Sequence, residues 1–166
     1  MKILDIKSKR SQKLFVSVLN IIHYPHNLLT KKSDEVTVVD KSIKKLISDM
    51  YDTMKKNNGI GLAAVQVGVL KRIVVIEIED LNIKLELINP KIVDFSANKT
   101  DMAEGCLSVP KHLYNVSRPE KVSVEYTDIK GKQQRIEADG LLSKCLQHEI
   151  DHLNGITIVD RGEILE

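Results

Sequence analysis

The stretch QHEIDH, from Gln147 to His152, decides how the rest of this chain is read. It contains H-E-x-x-H, with His148 and His152 four apart and Glu149 beside the first. On a helix, residues four apart differ by about 40° in direction and about 6 Å in height, so both imidazoles can meet one cation. A glutamate in that position can activate the cation's water. With 5 His and 11 Glu in 166 residues, composition alone produces an accidental H-E-x-x-H in roughly one such chain per hundred. Leu141, Leu142, Cys145 and Leu146 precede the motif at helical spacing after Gly140, and Asn154-Gly155 ends the run. The spacing predicts a half-buried helix, and buried charges on it need partners, of which a metal ion is the natural one.

Further from the motif, two periods alternate. Asp40 reads as an N-cap, followed by Ile43, Leu46, Ile47, Met50 and Met54 at helical spacing, with a stop at Asn57-Asn58-Gly59. RIVVIEIE (Arg72 to Glu79) alternates and is rich in β-branched residues, so it reads as a strand. LELINPKIV (Leu85 to Val93) reads as another, interrupted at Pro90, while KVSVEYTD and KQQRIEA flank a hairpin turn at Lys130-Gly131. ITIVD, after Gly155, reads as a last short strand. The expected fold is α+β, with mostly antiparallel strands packed around the central H-E-x-x-H helix. Residues 1–16 read as a loose, mobile N-terminal extension and 17–166 as a single catalytic domain.

Two histidines leave a ligand to find. The longer pattern H-E-x-x-H-x-x-G-x-x-H nearly fits, with Gly155 in place, but its last position is Ile158, which cannot bind metal. Cys145 shares the helix face, yet it stands about 10 Å from His152 along the axis, too far for a thiol with a metal bond of about 2.3 Å. Cys106, in EGCLSVP (Glu104 to Pro110), follows Gly105, which permits close backbone approach, and precedes an extended stretch that can run beside the motif helix. Cys106, His148 and His152 therefore form the expected ligand set, with the fourth position left for water as in a catalytic site.

Three segments in order, GIGLAAVQ (Gly59 to Gln66), EGCLSVP and QHEIDH, make the chain similar to peptide deformylases, and the resemblance extends over about residues 17 to 163. It implies an enzyme, a metal-dependent hydrolase that removes the formyl group from the N-terminal formyl-methionine of new polypeptides and releases formate. It implies that water on the metal attacks the formyl carbon, with Glu149 as general acid/base. It implies Fe(2+) as the physiological ion, with Zn(2+), Ni(2+) or Co(2+) able to replace it, on Cys106, His148 and His152. The Gln66 amide and the Leu107 N–H are implied as oxyanion donors. Substrate backbone is expected to add as a strand beside Gly61, with Gly105 close to it, and Ile60, Leu141 and Cys145 are implied around the methionine side chain. The implied setting is a cytoplasmic monomer in transient contact with the ribosome.

Composition agrees with this setting. A net charge of +2 gives no electrostatic footprint for nucleic acid, and no apolar run reaches membrane-spanning length. The two cysteines suit a reducing compartment. The basic start before LFVSVLNII imitates a signal peptide, but Ser17 and Asn20 break the apolar run and no small-residue cleavage site follows. Competing readings are a zincin-type endopeptidase, against which Cys106 and Gln66 argue, a metal-binding or ribosome-interacting domain without turnover, against which the full ligand set and Gln66 argue, and a degenerate relative that prefers other formyl compounds. Val65 stands where the family usually has proline, Ser117 precedes Arg118 where proline is common, and KHLYN (Lys111 to Asn115) departs on the substrate side. His23, His26 and His112 lack motif partners and read as surface or core histidines.

Overall fold

The β-branched segments pair as an antiparallel sheet. In the computed structural model, which describes residues 17–165, β1 (Gly61–Ala63), β2 (Ile73–Ile78), β3 (Ile83–Phe95), β6 (Val122–Thr127) and β7 (Gln133–Ala138) form five strands in the order β1-β2-β3-β6-β7. The arm read at 1–16 lies outside the described residues. A second sheet of three antiparallel strands, β4 (Lys99–Cys106), β5 (Val109–Pro119) and β8 (Glu163–Leu165), runs in the order β4-β5-β8. Among the described residues, three α-helices complete the fold: α1 (Lys41–Lys56), α2 (Gly140–Leu153) and the short α3 (Ile158–Arg161).

The expected N-cap holds. The Asp40 carboxylate accepts the Ile43 N–H at 2.9 Å, and α1 buries Ile47, Met50, Tyr51 and Met54 against β2 and β1. The turn after it is closed by the Gly59 N–H on the Met54 carbonyl, with Asn58 left-handed at φ 56°. The motif helix α2 is buried from Leu142 to Leu153 on every side, not on one face as its spacing predicts. Leu142, Leu146, Ile150 and Leu153 pack on the larger sheet. Lys144, Gln147, His148 and Asp151 form the opposite stripe, toward β5, where they find partners instead of water.

Two strand expectations need correction. LELINPKIV is not interrupted at Pro90: β3 continues from Ile83 to Phe95, and the proline is accommodated by a register shift between Ile88 and Lys91 with Asn89 at φ 53°. A bulge lets proline enter a sheet because the donor it lacks falls outside the ladder. ITIVD is not a strand but opens α3, since the Asp160 carboxylate accepts the Thr157 N–H at 2.7 Å and the Thr157 hydroxyl at 2.8 Å and so caps a helical turn. The last strand is β8, immediately after it.

The Asn89 amide donates to the Val36 carbonyl and accepts the Val36 N–H, each at 2.8 Å, stapling the segment before α1 to β3. Asn89→Ala, which loses both bonds and disfavours the left-handed backbone, should lower stability by about 2 kcal/mol in urea titration with little change in the slope.

Candidate metal centre and active site

The motif helix delivers His148 and His152 side by side, ring centroids 5.0 Å apart and inclined at 70°. Opposite them, the hairpin between β4 and β5 delivers Cys106 from the last position of β4. One donor atom each from Cys106, His148 and His152 all lie within 4.8 Å of one another. Cys106 Sγ is 3.3 Å from His152 Nε2. The expected ligand set is therefore brought together in space, and Cys145, set aside on helical geometry, is buried among apolar side chains of the larger core.

The surroundings orient these donors. His148 Nδ1 is 3.0 Å from the Glu104 carboxylate, which commits that nitrogen and leaves Nε2 for a ligand. Glu104 is gripped in turn by Arg118, whose Nε and Nη2 donate to its two oxygens at 2.7 and 3.0 Å. The same guanidinium donates through Nη1 to Asp151 on α2 at 2.7 Å, and Arg161 donates to Asp151 at 2.6 and 3.0 Å. Lys144 Nζ donates to the carbonyls of Thr100 and Arg118, and Gln147 to that of Pro119. Sequence reasoning missed all of these supporting residues. The available signal was Glu104, two residues before the cysteine, on alternate positions of one strand.

Burial dominates the electrostatics. It pushes the Glu149 carboxyl up to about 7, against a partial offset from His148 and Arg118. Burial alone would lower the His148 imidazole, but its hydrogen bonds to Cys106 and Glu104, which accept from it, outweigh burial and raise His148 to about 10. His152 is driven well down by burial and the neighbouring His148. A cation competes with protons for such a donor set, and one thiol with two imidazoles suits a borderline-soft divalent ion. Glu149 Oε2 is buried with no partner among the described residues, as expected of a carboxylate awaiting a water. The residues present therefore fit a bound divalent metal.

A cleft of about 640 Å³ opens on this centre. Its walls include Ile60, Gly61, Gln66, Gly105, Cys106, Leu107, Leu141, Cys145, His148 and Glu149, so these expected residues share one cavity, while His152 lies behind, 1% exposed. Gln66 is buried in a short 3-10 turn; its Oε1 accepts the Ala63 N–H at 2.9 Å, and its Nε2 points at Ser108 Oγ (3.2 Å) and Cys106 Sγ (3.7 Å). Leu107 occupies the turn between Cys106 and Val109, so the stretch after Cys106 folds back as a hairpin and is not one extended run. Gly105 needs no close approach within the chain, for a Cβ there would meet only Leu113 at 3.4 Å. His23 and His112, read as unassigned histidines, line the cleft, and His26 instead caps a short turn through the Leu28 N–H.

An H-E-x-x-H helix completed by a cysteine from a neighbouring hairpin, with a carboxylate beside the ligands and an open cleft, defines a single-ion metallohydrolase. The profile of the family described as Polypeptide deformylase matches residues 18–165. The peptide deformylase of Finegoldia magna is 50% identical over 134 residues, 81% of this chain and 83% of the relative. That of Nitrosococcus oceani is 49% identical over 146 residues, 87% of each. The crystal structure of the Ehrlichia chaffeensis peptide deformylase in complex with actinonin superposes with TM-score 0.85 at 47% identity, covering 87% of this chain and 88% of that one. The chain belongs to the polypeptide deformylase family.

Gly61 is the tightest point of the cleft. A Cβ there would lie 2.5 Å from Glu149 Oε1 and 2.8 Å from Cys145 Sγ. Gly61→Ala should leave a folded, metal-binding protein whose turnover is lower by at least about tenfold, because the Glu149 carboxylate must move; single-turnover assays beside a metal titration check this. Glu104→Gln should weaken cation binding by about 10–100-fold, read by competition with a chromophoric chelator.

Proposed function

We propose that the chain hydrolyses the formyl group from the N-terminal formyl-methionine of new polypeptides, releasing formate, in a single catalytic unit that begins near residue 17. The observation that carries the reading is the convergence of Cys106, His148 and His152 beside the unpartnered carboxylate oxygen of Glu149. Cys106, His148 and His152 would hold the metal. When bound, the cation would supply an acidified water and positive charge for the developing oxyanion.

Glu149 performs the proton transfers. Buried and raised to about 7, its carboxylate takes a proton from the attacking water and returns it to the departing amine. The developing oxyanion is held by the Gln66 amide and the Leu107 N–H, each such donor being worth about 3–4 kcal/mol of barrier. The Ala63 bond keeps Gln66 Oε1 occupied and so aims Nε2 at the centre. Backbone recognition falls to β1, which among the described residues has a neighbour on one side only, so its free edge can accept an extended peptide at Gly61. The rim of this edge continues to Gly105 on β4, also an edge strand. Ile60 and Leu141, each 40% exposed, and Cys145 give the methionine side chain an apolar seat.

Fe(2+) is the proposed physiological ion, with Zn(2+), Ni(2+) or Co(2+) as substitutes; a thiolate with two imidazoles can bind any of them. All three ligands come from one chain, which supports a monomer, and no described helix is long and apolar enough to cross a membrane. The near-neutral charge fits transient contact with the ribosome in the cytoplasm better than stable binding to its nucleic acid.

Anaerobically purified protein loaded with iron or nickel should release formate from formyl-Met-Ala-Ser and leave acetyl-Met-Ala-Ser intact. Glu149→Ala should keep its metal, by elemental analysis, and lose at least about 10²-fold in turnover. A near-normal rate in that variant sinks the assigned mechanism.

A further inference from the structure

The wall of the cleft opposite β1 contains an irregularity that the chemistry above does not use. Along the ladder between β4 and β5, Gly105 faces Leu113 while Cys106 faces Val109. Pro110, Lys111 and His112 are therefore extruded from the pairing. Lys111, at the apex, has φ 71°, a left-handed conformation that a lysine adopts at an energetic cost. Bulges beside active sites re-aim side chains, and all three of these exposed residues line the cleft that contains Cys106 and Glu149.

The charges in this cavity are one-sided. Its acidic residues are Glu104, bound by Arg118 and His148, and Glu149, both buried. Its other lysine, Lys144, is 3% exposed and spends its ammonium on two backbone carbonyls. Lys111, His112 and His23 are the exposed ionisable groups of the lining. Among the described residues, no ion pair engages any of them.

Resting on the deformylase reading, we propose that the Pro110–His112 bulge makes the enzyme select formylated peptides with acidic side chains in the two residues after the methionine. Lys111 is the main specificity-determining residue, and His112 and His23 add donors. A peptide extended along β1 with its formyl group at the metal centre must carry its next residues out through the mouth of the cleft, past Lys111 and the two imidazoles. A solvent-exposed lysine gives selectivity in kcat/KM of a few-fold, and salt screens it.

The test compares C-terminally amidated formyl-Met-Asp-Asp, formyl-Met-Ala-Ser and formyl-Met-Lys-Lys on the metal-loaded protein, by formate release. The expected kcat/KM ratio of acidic to basic peptide is about fivefold at low ionic strength, shrinking toward unity in 0.5 M salt. Lys111→Asp should invert the ratio and Lys111→Asn should bring it near unity; both residues tolerate a left-handed backbone, so both variants should fold. A parent ratio near unity, or one that Lys111→Asp leaves unchanged, overturns the proposal while formyl-Met-Ala-Ser is still cleaved. No cleavage of formyl-Met-Ala-Ser by the parent overturns the deformylase reading and this proposal with it.

Discussion

The guanidinium of Arg118 joins the two halves of this protein. It sits 4% exposed between Glu104 on β4 and Asp151 on α2 and bonds both. Burying such a group costs several kcal/mol of solvation, offset only when nearly every donor finds an oxygen. Here Nε and both terminal nitrogens do. The consequence is structural. A helix with one polar stripe would ordinarily turn that stripe to water, but here the stripe is docked on the smaller sheet. Cys106 from the hairpin and the two histidines of the helix meet because this ion pair seals the surface between them.

The same network controls the chemistry. Glu104 holds Arg118 with two oxygens and touches His148 Nδ1 with one of them, so the charge that anchors the sheet also sets which imidazole nitrogen is free. Glu149, four residues after Cys145 and on the cleft side, has no such partner among the described residues, and burial raises it to about 7. Two carboxylates in one buried region thus have opposite tendencies. Glu104 is held charged by Arg118 and His148 despite its burial, while Glu149 is left able to gain and lose a proton. Gly61 completes the arrangement by letting an edge strand pass within contact distance of that carboxylate.

Elements with one local period are legible in the chain itself. Asp40 and the apolar spacing after it mark α1, β-branched alternation marks β2, and H-E-x-x-H marks the centre. The β4–β5 hairpin is not legible beyond EGCLSVP, and the reason lies in its inward positions. Along β5 the buried residues are Val109, Tyr114, Val116 and Arg118, so alternation is broken by the bulge at one end and by a charge in an apolar slot at the other. ITIVD misleads in the opposite way. Its β-branched residues favour a strand, but Thr157 and Asp160 have the spacing of a helix cap, and two hydrogen bonds outweigh the propensity.

The sequence by itself determined the class of fold and the family, and it pointed to Cys106, His148 and His152 as the expected ligands, since each reading rests on residues close together in the chain or on recognisable runs of them. His148, Glu149 and His152 share two turns of one helix, and the cysteine is named by elimination and by its motif. Only the tertiary structure decided what surrounds them: Arg118 on Glu104 and Asp151, Gly61 against Glu149, and Lys111, His112 and His23 on one wall. Arg118 and Glu104 lie 14 positions apart in the chain, and Gly61 and Glu149 lie 88 apart. Side-chain contacts across such separations are set by how the sheets and helices close on one another, and no local period encodes them.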